Sequence, residues 1–383
     1  MGRRILRTKL CDMLGIEYPI LSAGMGPALP VEESAAPVEL VVAVSEAGGC
    51  GVLGASAYTL DELREHIREI KAQTDKPFGV DLVLPKHVYG EPPGEDTPDK
   101  IPLSALLEDM PKAHRDWIDK IKKEFNLPET DVMLKTRTTT VLPREAVQVC
   151  LEEKVPLFCA GLGDPGFMVK EAHAIGTKVL ALTGNAKNAG RLAQSGIDLL
   201  VVQGSEGGGH TGRIGTMALI PQAIDAAAPV PVLAAGGIGD GRGVAGALAM
   251  GCVGVWVGTR FLATNEAGSP SDRKQLIADA NDEGTLISRA YTGKTLRGLR
   301  NRYLDLWDSS GLDPLPFPTQ VFVASALLSG FIEANKKDYV SIFAGQVAGL
   351  IKEVKPAREV LEEMVEEAAE ILARKLPMDV EVK

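Results

Sequence analysis

One histidine stands among glycines at the end of an apolar run. In "DLLVVQGSEGGGHTGRIG", residues 199–202 are β-branched or leucyl; the run stops in polar and glycine residues, and His210 follows. An imidazole titrates near neutral pH and can take or give a proton at a reacting atom. A histidine that only hydrogen-bonds its own loop is the bland alternative, but the glycine-cleared strand end favours catalysis. Two later apolar runs stop in the same manner without a histidine, in "VPVLAAGGIGDG" and "VGVWVGTRFL". Glycine-rich turns that open helices bind phosphate through backbone N–H groups, because no Cβ blocks the approach and the helix terminus is positive. Residues 234–241 and 257–261 fit that role. Three bare strand ends in succession therefore suit one flat, phosphate-bearing ligand with His210 beside it. Glu206 can orient His210 or cap the following turn. Ser205 and Thr211 lack the spacing for a nucleophilic triad.

The elements that must carry these residues alternate regularly. Short strands at 18–22, 50–56 and 77–85 are separated by helices at 39–47 and 59–75, a β-α-β-α-β order that implies parallel strands. Residues 86–135 break the rhythm with Pro, Gly and acidic residues and a helix at 111–125. We read this stretch as an insertion after the third strand, with the character of a lid. Alternation then resumes through five more strands, the sixth carrying His210 and the seventh and eighth the phosphate turns. Eight such units predict an α/β fold, a (β/α)8 TIM barrel whose ligand loops sit at the C-terminal ends of the strands. A doubly wound open sheet alternates too, but the regular count favours closure. "GGIGDG" is not a Rossmann fingerprint, since that belongs after the first strand, where "SAGMGP" stands instead. Residues 1–267 are assigned to the barrel and 268–383 to a C-terminal helical extension packed on it, with helices at 271–280, 296–306, 318–335 and 356–375. The last of these reads as a docked surface helix or a dimer contact.

Composition narrows the function class. The 383-residue chain has a net charge of −10, which argues against nucleic acid as a partner. The basic cluster at 297–302 fits a surface helix or ion pairs. Five dispersed cysteines show no metal-ligand spacing and fit buried thiols in a reducing compartment. "MGRRILRTKL" lacks the apolar core of a secretory signal, and the uncharged stretch 243–259 holds five glycines and a strand, unlike a membrane span. A cytoplasmic, globular protein without a membrane partner is expected. His66, His87 and His114 read as solvated, and His173 as a helix-surface residue.

The segments "PILSAGMGP", "AVSEAGGCGVLG", "QGSEGGGHTG", "LAAGGIGDGRGVAGALAMGCVGVWVGTRFLAT" and "AGQVAGLI", in this order and spacing, resemble the nitronate monooxygenase family, also called 2-nitropropane dioxygenases. Flavin-dependent enoyl-ACP reductases and some NAD(P)H:quinone reductases are similar. The resemblance covers the chain except roughly 86–135. It implies FMN as cofactor, with Ala23, Gly24 and Met25 along the ring and Asp81 and Gln203 approaching it. Gly208 and Gly209 would leave space beside the ring, and Ala235, Gly236, Gly237, Gly258 and Thr259 would hold the phosphate. His210 matches the family's catalytic base. The implied reaction is oxidation of an alkyl nitronate with O2 to a carbonyl compound and nitrite, through a flavosemiquinone. The alternative is NAD(P)H-dependent reduction of an enoyl thioester or quinone, and the least favoured a non-enzymatic flavin-binding or assembly protein. Some family members carry Lys-Cys-Thr at the end of strand five, where Ala181, Leu182 and Thr183 stand here, and some carry Asp where this chain has Gln203.

Overall fold

A computed structural model describes residues 6–27, 30, 34–84, 97–129 and 132–380. Eight parallel strands form one sheet: Ile20–Ser22, Gly51–Gly54, Phe78–Val83, Leu157–Leu162, Lys178–Thr183, Leu199–Gln203, Val232–Ala235 and Gly254–Val257. From the second strand to the eighth each pairs with its neighbours in chain order, and the first pairs with the last. The remaining seam is joined by a parallel bridge between Leu21 and Cys50, where Cys50 N donates to Ile20 O at 3.0 Å and Ser22 N to Cys50 O at 3.0 Å. The sheet thus closes into the expected barrel. Its interior is filled by side chains such as Leu21, Val52, Leu180, Val201 and Trp256, so the barrel is a packed core with its loops free for function.

The helices follow from local sequence. Leu60–Gln73 begins in a capping box, Thr59 with Glu62, and turns Leu63, Ile67 and Ile70 into the core at the 3–4-residue spacing of one helix face. Complete burial of each such side chain contributes about 1.5–3 kcal/mol.

The last long helix, Ala357–Glu370, is no surface attachment. Its stripe of Val360, Leu361, Met364, Val365 and Ala368 is buried in the same core as the barrel strands and helices. An added Cβ on Gly49 would stand 2.6 Å from Leu361, and one on Gly241 2.5 Å from the backbone of Ala368. Glu367 accepts the N–H of Gly241 at 2.8 Å. The helix therefore fills the eighth place in the ring, beside Val38–Glu46 and Gly241–Ala249. Its apolar stripe is not a dimer contact, because the barrel already covers it.

Residues from both sides of the barrel sequence build a second core. Trp117, Ile118 and Ile121 of the helix Lys112–Glu124 pack with Trp307, Leu327 and Phe331. Trp117 meets Trp307 edge-to-face at 5.1 Å, and Phe331 stacks on Tyr339 at 4.3 Å. The described part of the insertion after the third strand is thus packed against the helices Arg302–Ser310 and Thr319–Glu333. His114 is buried here beside Trp307, its Nε2 3.1 Å from Asp313 O, so it is not the solvated residue expected. His87 lies outside the described residues.

The helix expected over 296–306 is replaced by two elements. Leu296–Leu299 is a fully buried strand, antiparallel to Thr285–Ser288 and to Gly209–His210. The helix starts only at Arg302, after Asn301 caps it by accepting Leu304 N at 3.2 Å. Gly298 suits a strand here, since an added Cβ would lie 2.8 Å from Ile342 O. Arg297, expected on a surface helix or in ion pairs, is buried and donates to Ser205 O and Thr285 Oγ1, both at 2.9 Å.

Candidate active site

The C-terminal ends of the barrel strands bring the predicted residues into one mouth. On the first loop, Gly24 lies against Asp81 of the third strand so closely that a Cβ there would overlap the Asp81 side chain. Gly161, at the end of the fourth strand, flanks the same carboxyl from the other side and offers it a backbone hydrogen bond. Asp81 Oδ1 is closed off from solvent and meets no hydrogen-bond partner among the described residues. Burial pushes this carboxyl up to about 8, only partly offset by the Gly161 bond. A buried polar atom without a partner is uncommon and calls for an explanation such as a ligand.

Around the rim, Ala23 and Met25 face Gly258: an added Cβ on Gly258 would stand 3.5 Å from Ala23 Cβ and 3.8 Å from Met25 Sδ. Gly236 and Gly237 both adopt positive φ, 86° and 76°, which only glycine takes readily. Ala235 O accepts Gly204 N at 3.0 Å, tying the sixth and seventh strand ends together. Gly208 packs against the backbone of residues 343–345, and Thr259 Oγ1 accepts Gly345 N at 2.9 Å. The first turn of the helix Gly241–Ala249 is itself already capped. Asp240 accepts Arg242 N and Gly243 N, and Glu367 accepts Gly241 N. Any anion at this turn must therefore be met by the glycine loop ahead of the helix.

His210 reaches the mouth on a two-residue strand, Gly209–His210, whose ladder partners are Arg297 and Leu296. Gln203 Nε2 donates to His210 O at 2.9 Å. The imidazole Nε2 lies 2.9 Å from Thr292 Oγ1, whose hydroxyl in turn lies 3.3 Å from Lys294 O. With Thr292 donating to that carbonyl, it accepts from His210 Nε2–H and leaves Nδ1 as the basic atom. The ring keeps solvent access, yet protein atoms crowd it. That desolvation, followed by the nearby Lys294 charge, pushes its pKa down to about 4. At neutral pH the imidazole is uncharged and competent as a base.

The two roles considered for Glu206 separate cleanly. Its carboxylate accepts both Thr216 N and Thr216 Oγ1 at 2.9 Å, so it caps the helix Thr216–Ala227 and does not orient His210. His173 is a helix-surface residue, bonded to Asp198 at 2.8 Å. All five cysteines are free and buried. Thr292, Lys294 and Phe317 join the site without having been singled out in the sequence, and Gly345 joins it from the segment "AGQVAGLI". "TLIS" and "LRGL" flank a turn containing glycine, a hairpin signal that could have located Thr292 and Lys294.

Comparison with known proteins places the fold in a family. The sequence matches the nitronate monooxygenase family over residues 7–367. The chain belongs to the nitronate monooxygenase family. A Mycobacterium tuberculosis protein named "putative monooxygenase" is 36% identical over 382 residues, covering 94% of this chain and 96% of its own. Among solved structures, nitroalkane oxidase from Streptomyces ansochromogenes is 26% identical with a TM-score of 0.76, covering 95% of this chain and 99% of that one. FabK from Thermotoga maritima is 31% identical with a TM-score of 0.74, covering 98% and 100%. As a member of this family the chain is an oxidoreductase. No helix among the described residues is long and apolar enough to cross a membrane.

Proposed function

We propose that the protein is an FMN-dependent nitronate monooxygenase that converts an alkyl nitronate and O2 to a carbonyl compound and nitrite. The observation that carries this reading is His210, neutral and bonded to Thr292, beside a barrel mouth cleared by glycines. The mouth fits a flat group with a phosphate tail. Asp81 Oδ1 lacks a partner among the described residues, and an added Cβ on Gly237 or Gly258 would meet nothing nearer than 3.5 Å. Ala23, Gly24, Met25, Asp81, Gln203, Gly208 and Gly209 would surround the ring, and Ala235, Gly236, Gly237, Gly258 and Thr259 the phosphate. Bound FMN supplies the electron acceptor for such a reaction.

The chain's own residues provide the rest. His210 Nδ1 takes the proton when a neutral nitroalkane is offered, and Thr292 holds the imidazole in the tautomer that frees that atom. The ladder to Leu296 and the Gln203 bond fix the backbone of His210, so the base is pre-oriented and not searching. A substrate that arrives already as the nitronate anion needs no such proton transfer. Reduction by NAD(P)H is the competing cycle for a barrel of this kind.

The decisive variant is His210→Asn. It should retain FMN and nitronate oxidation while turnover of neutral nitroalkane falls by about 10²–10⁴-fold, the usual worth of a general base. Unchanged nitroalkane turnover would leave His210 with a purely structural part.

A further inference from the structure

We propose that Lys294 is a specificity-determining residue that recognises the negatively charged headgroup of a small anionic substrate beside His210. The inference deepens the nitronate reading above and rests on it for the identity of the anion.

Lys294 follows Thr292 and Gly293 in the turn that joins the strands Thr285–Ser288 and Leu296–Leu299. This turn is locked to the histidine loop. Thr211 N donates to Thr295 O at 3.2 Å, and Thr295 Oγ1 donates to Thr211 O at 2.9 Å. On its other side the turn is wedged against the loop that carries Phe317: Gly293 has φ 79°, and a Cβ there would overlap Leu315 O. The Lys294 ammonium stands over the Phe317 ring at 4.4 Å, and the same ring meets His210 edge-on at 6.3 Å between centroids. One aromatic platform thus holds a cation on its face and the candidate base at its edge.

Among the described residues no carboxylate pairs with Lys294. The neighbouring cations are occupied: Arg289 donates to Gly293 O at 2.8 Å, and Arg297 to Ser205 O and Thr285 Oγ1. Lys294 is also exposed, and its ammonium stays on the Phe317 ring that His210 meets edge-on. The His210 imidazole already senses it, since Lys294 disfavours protonation there. A chain with a net charge of −10 would otherwise repel an anion, and a local cation reverses that at one place. The matching ligand is a compact oxyanion bearing one negative charge, such as a nitronate, with its apolar part against Phe317. The neutral nitroalkane gains nothing from the ammonium, so Lys294 discriminates between the two forms.

The test uses sodium nitrite as an inert oxyanion probe, titrated into the intact protein by calorimetry. Lys294→Met should weaken nitrite binding about tenfold, the loss expected for one partly solvated charge contact, and Lys294→Arg should restore it to within about threefold. Wild-type affinity should fall with added salt, and that of Lys294→Met should not. In turnover, Lys294→Met should raise KM for propyl nitronate with kcat little changed. Equal nitrite affinity in wild type and Lys294→Met would overturn the assignment, as would absence of nitrite binding to the wild type. Lys294-dependent nitrite binding without nitronate turnover would sustain the anion site and sink only the monooxygenase reading.

Discussion

Replacing Asp81 by Asn gives the sharpest test of how the barrel mouth is built. In the folded chain burial raises this carboxyl from 3.8 to about 8, so the native state holds a proton that the unfolded chain releases. The sign follows from linkage. Between those two values the native state binds more protons than the unfolded one, and stability is lost as pH rises from about 4 to about 8. Taken in full, that shift is worth about 6 kcal/mol. The side chain is only half-buried by surface, although Oδ1 is closed off, so roughly 2–3 kcal/mol is the realistic loss after solvent screening. Asparagine keeps the shape and removes the titration. The assay is urea denaturation of flavin-free protein at about pH 5 and about pH 9, for wild type and Asp81→Asn. Other titrating groups contribute equally to both proteins and cancel in the difference. The wild type should lose about 2 kcal/mol more than the variant over this interval. Parallel losses in the two proteins would refute the claim that Asp81 is held neutral by its surroundings.

Two further outcomes follow from the same geometry. Because His210 is pushed down to about 4, kcat/KM for neutral nitroalkane should stay level as pH falls through 6.5 and decline only near 4, and a pH–rate profile bending near 6.5 would contradict the desolvated environment. Gly24→Ala should weaken FMN retention at least tenfold and lower the denaturation midpoint, since the new methyl overlaps Asp81, whereas full FMN content in purified Gly24→Ala would show that the first loop yields without cost.

The barrel was legible because its signals are local. Each short apolar run ending in glycine marks a strand, and Leu63, Ile67 and Ile70 mark a helix face within about two turns. What the sequence hid depends on distant partners. Leu296–Leu299 reads as part of a helix until its ladder to His210, 86 residues upstream at the closest pair, gives it a strand partner. The stripe on Ala357–Glu370 looks like any amphipathic surface helix, and only Gly49 and Gly241 show that it closes the ring. Trp117 and Trp307 likewise meet across nearly half the chain, so the second core could not be read from either segment. At the site, His210 stood out by its glycine setting. Thr292 and Lys294 did not, because a threonine and a lysine in a surface turn look ordinary until the sheet places them beside the imidazole. Glu206 was ambiguous for the opposite reason: a carboxylate four residues from a histidine can serve either neighbour, and here Thr216 takes it.

The central claim is that the mouth holds a flavin that accepts electrons from a nitronate. Anaerobic mixing of the FMN-loaded protein with propyl nitronate, followed by visible absorbance, tests it most directly. The account predicts a rapid change in the flavin spectrum with propyl nitronate and none with NADH. Bleaching by NADH without a response to nitronate, or failure to bind FMN at all, would contradict it.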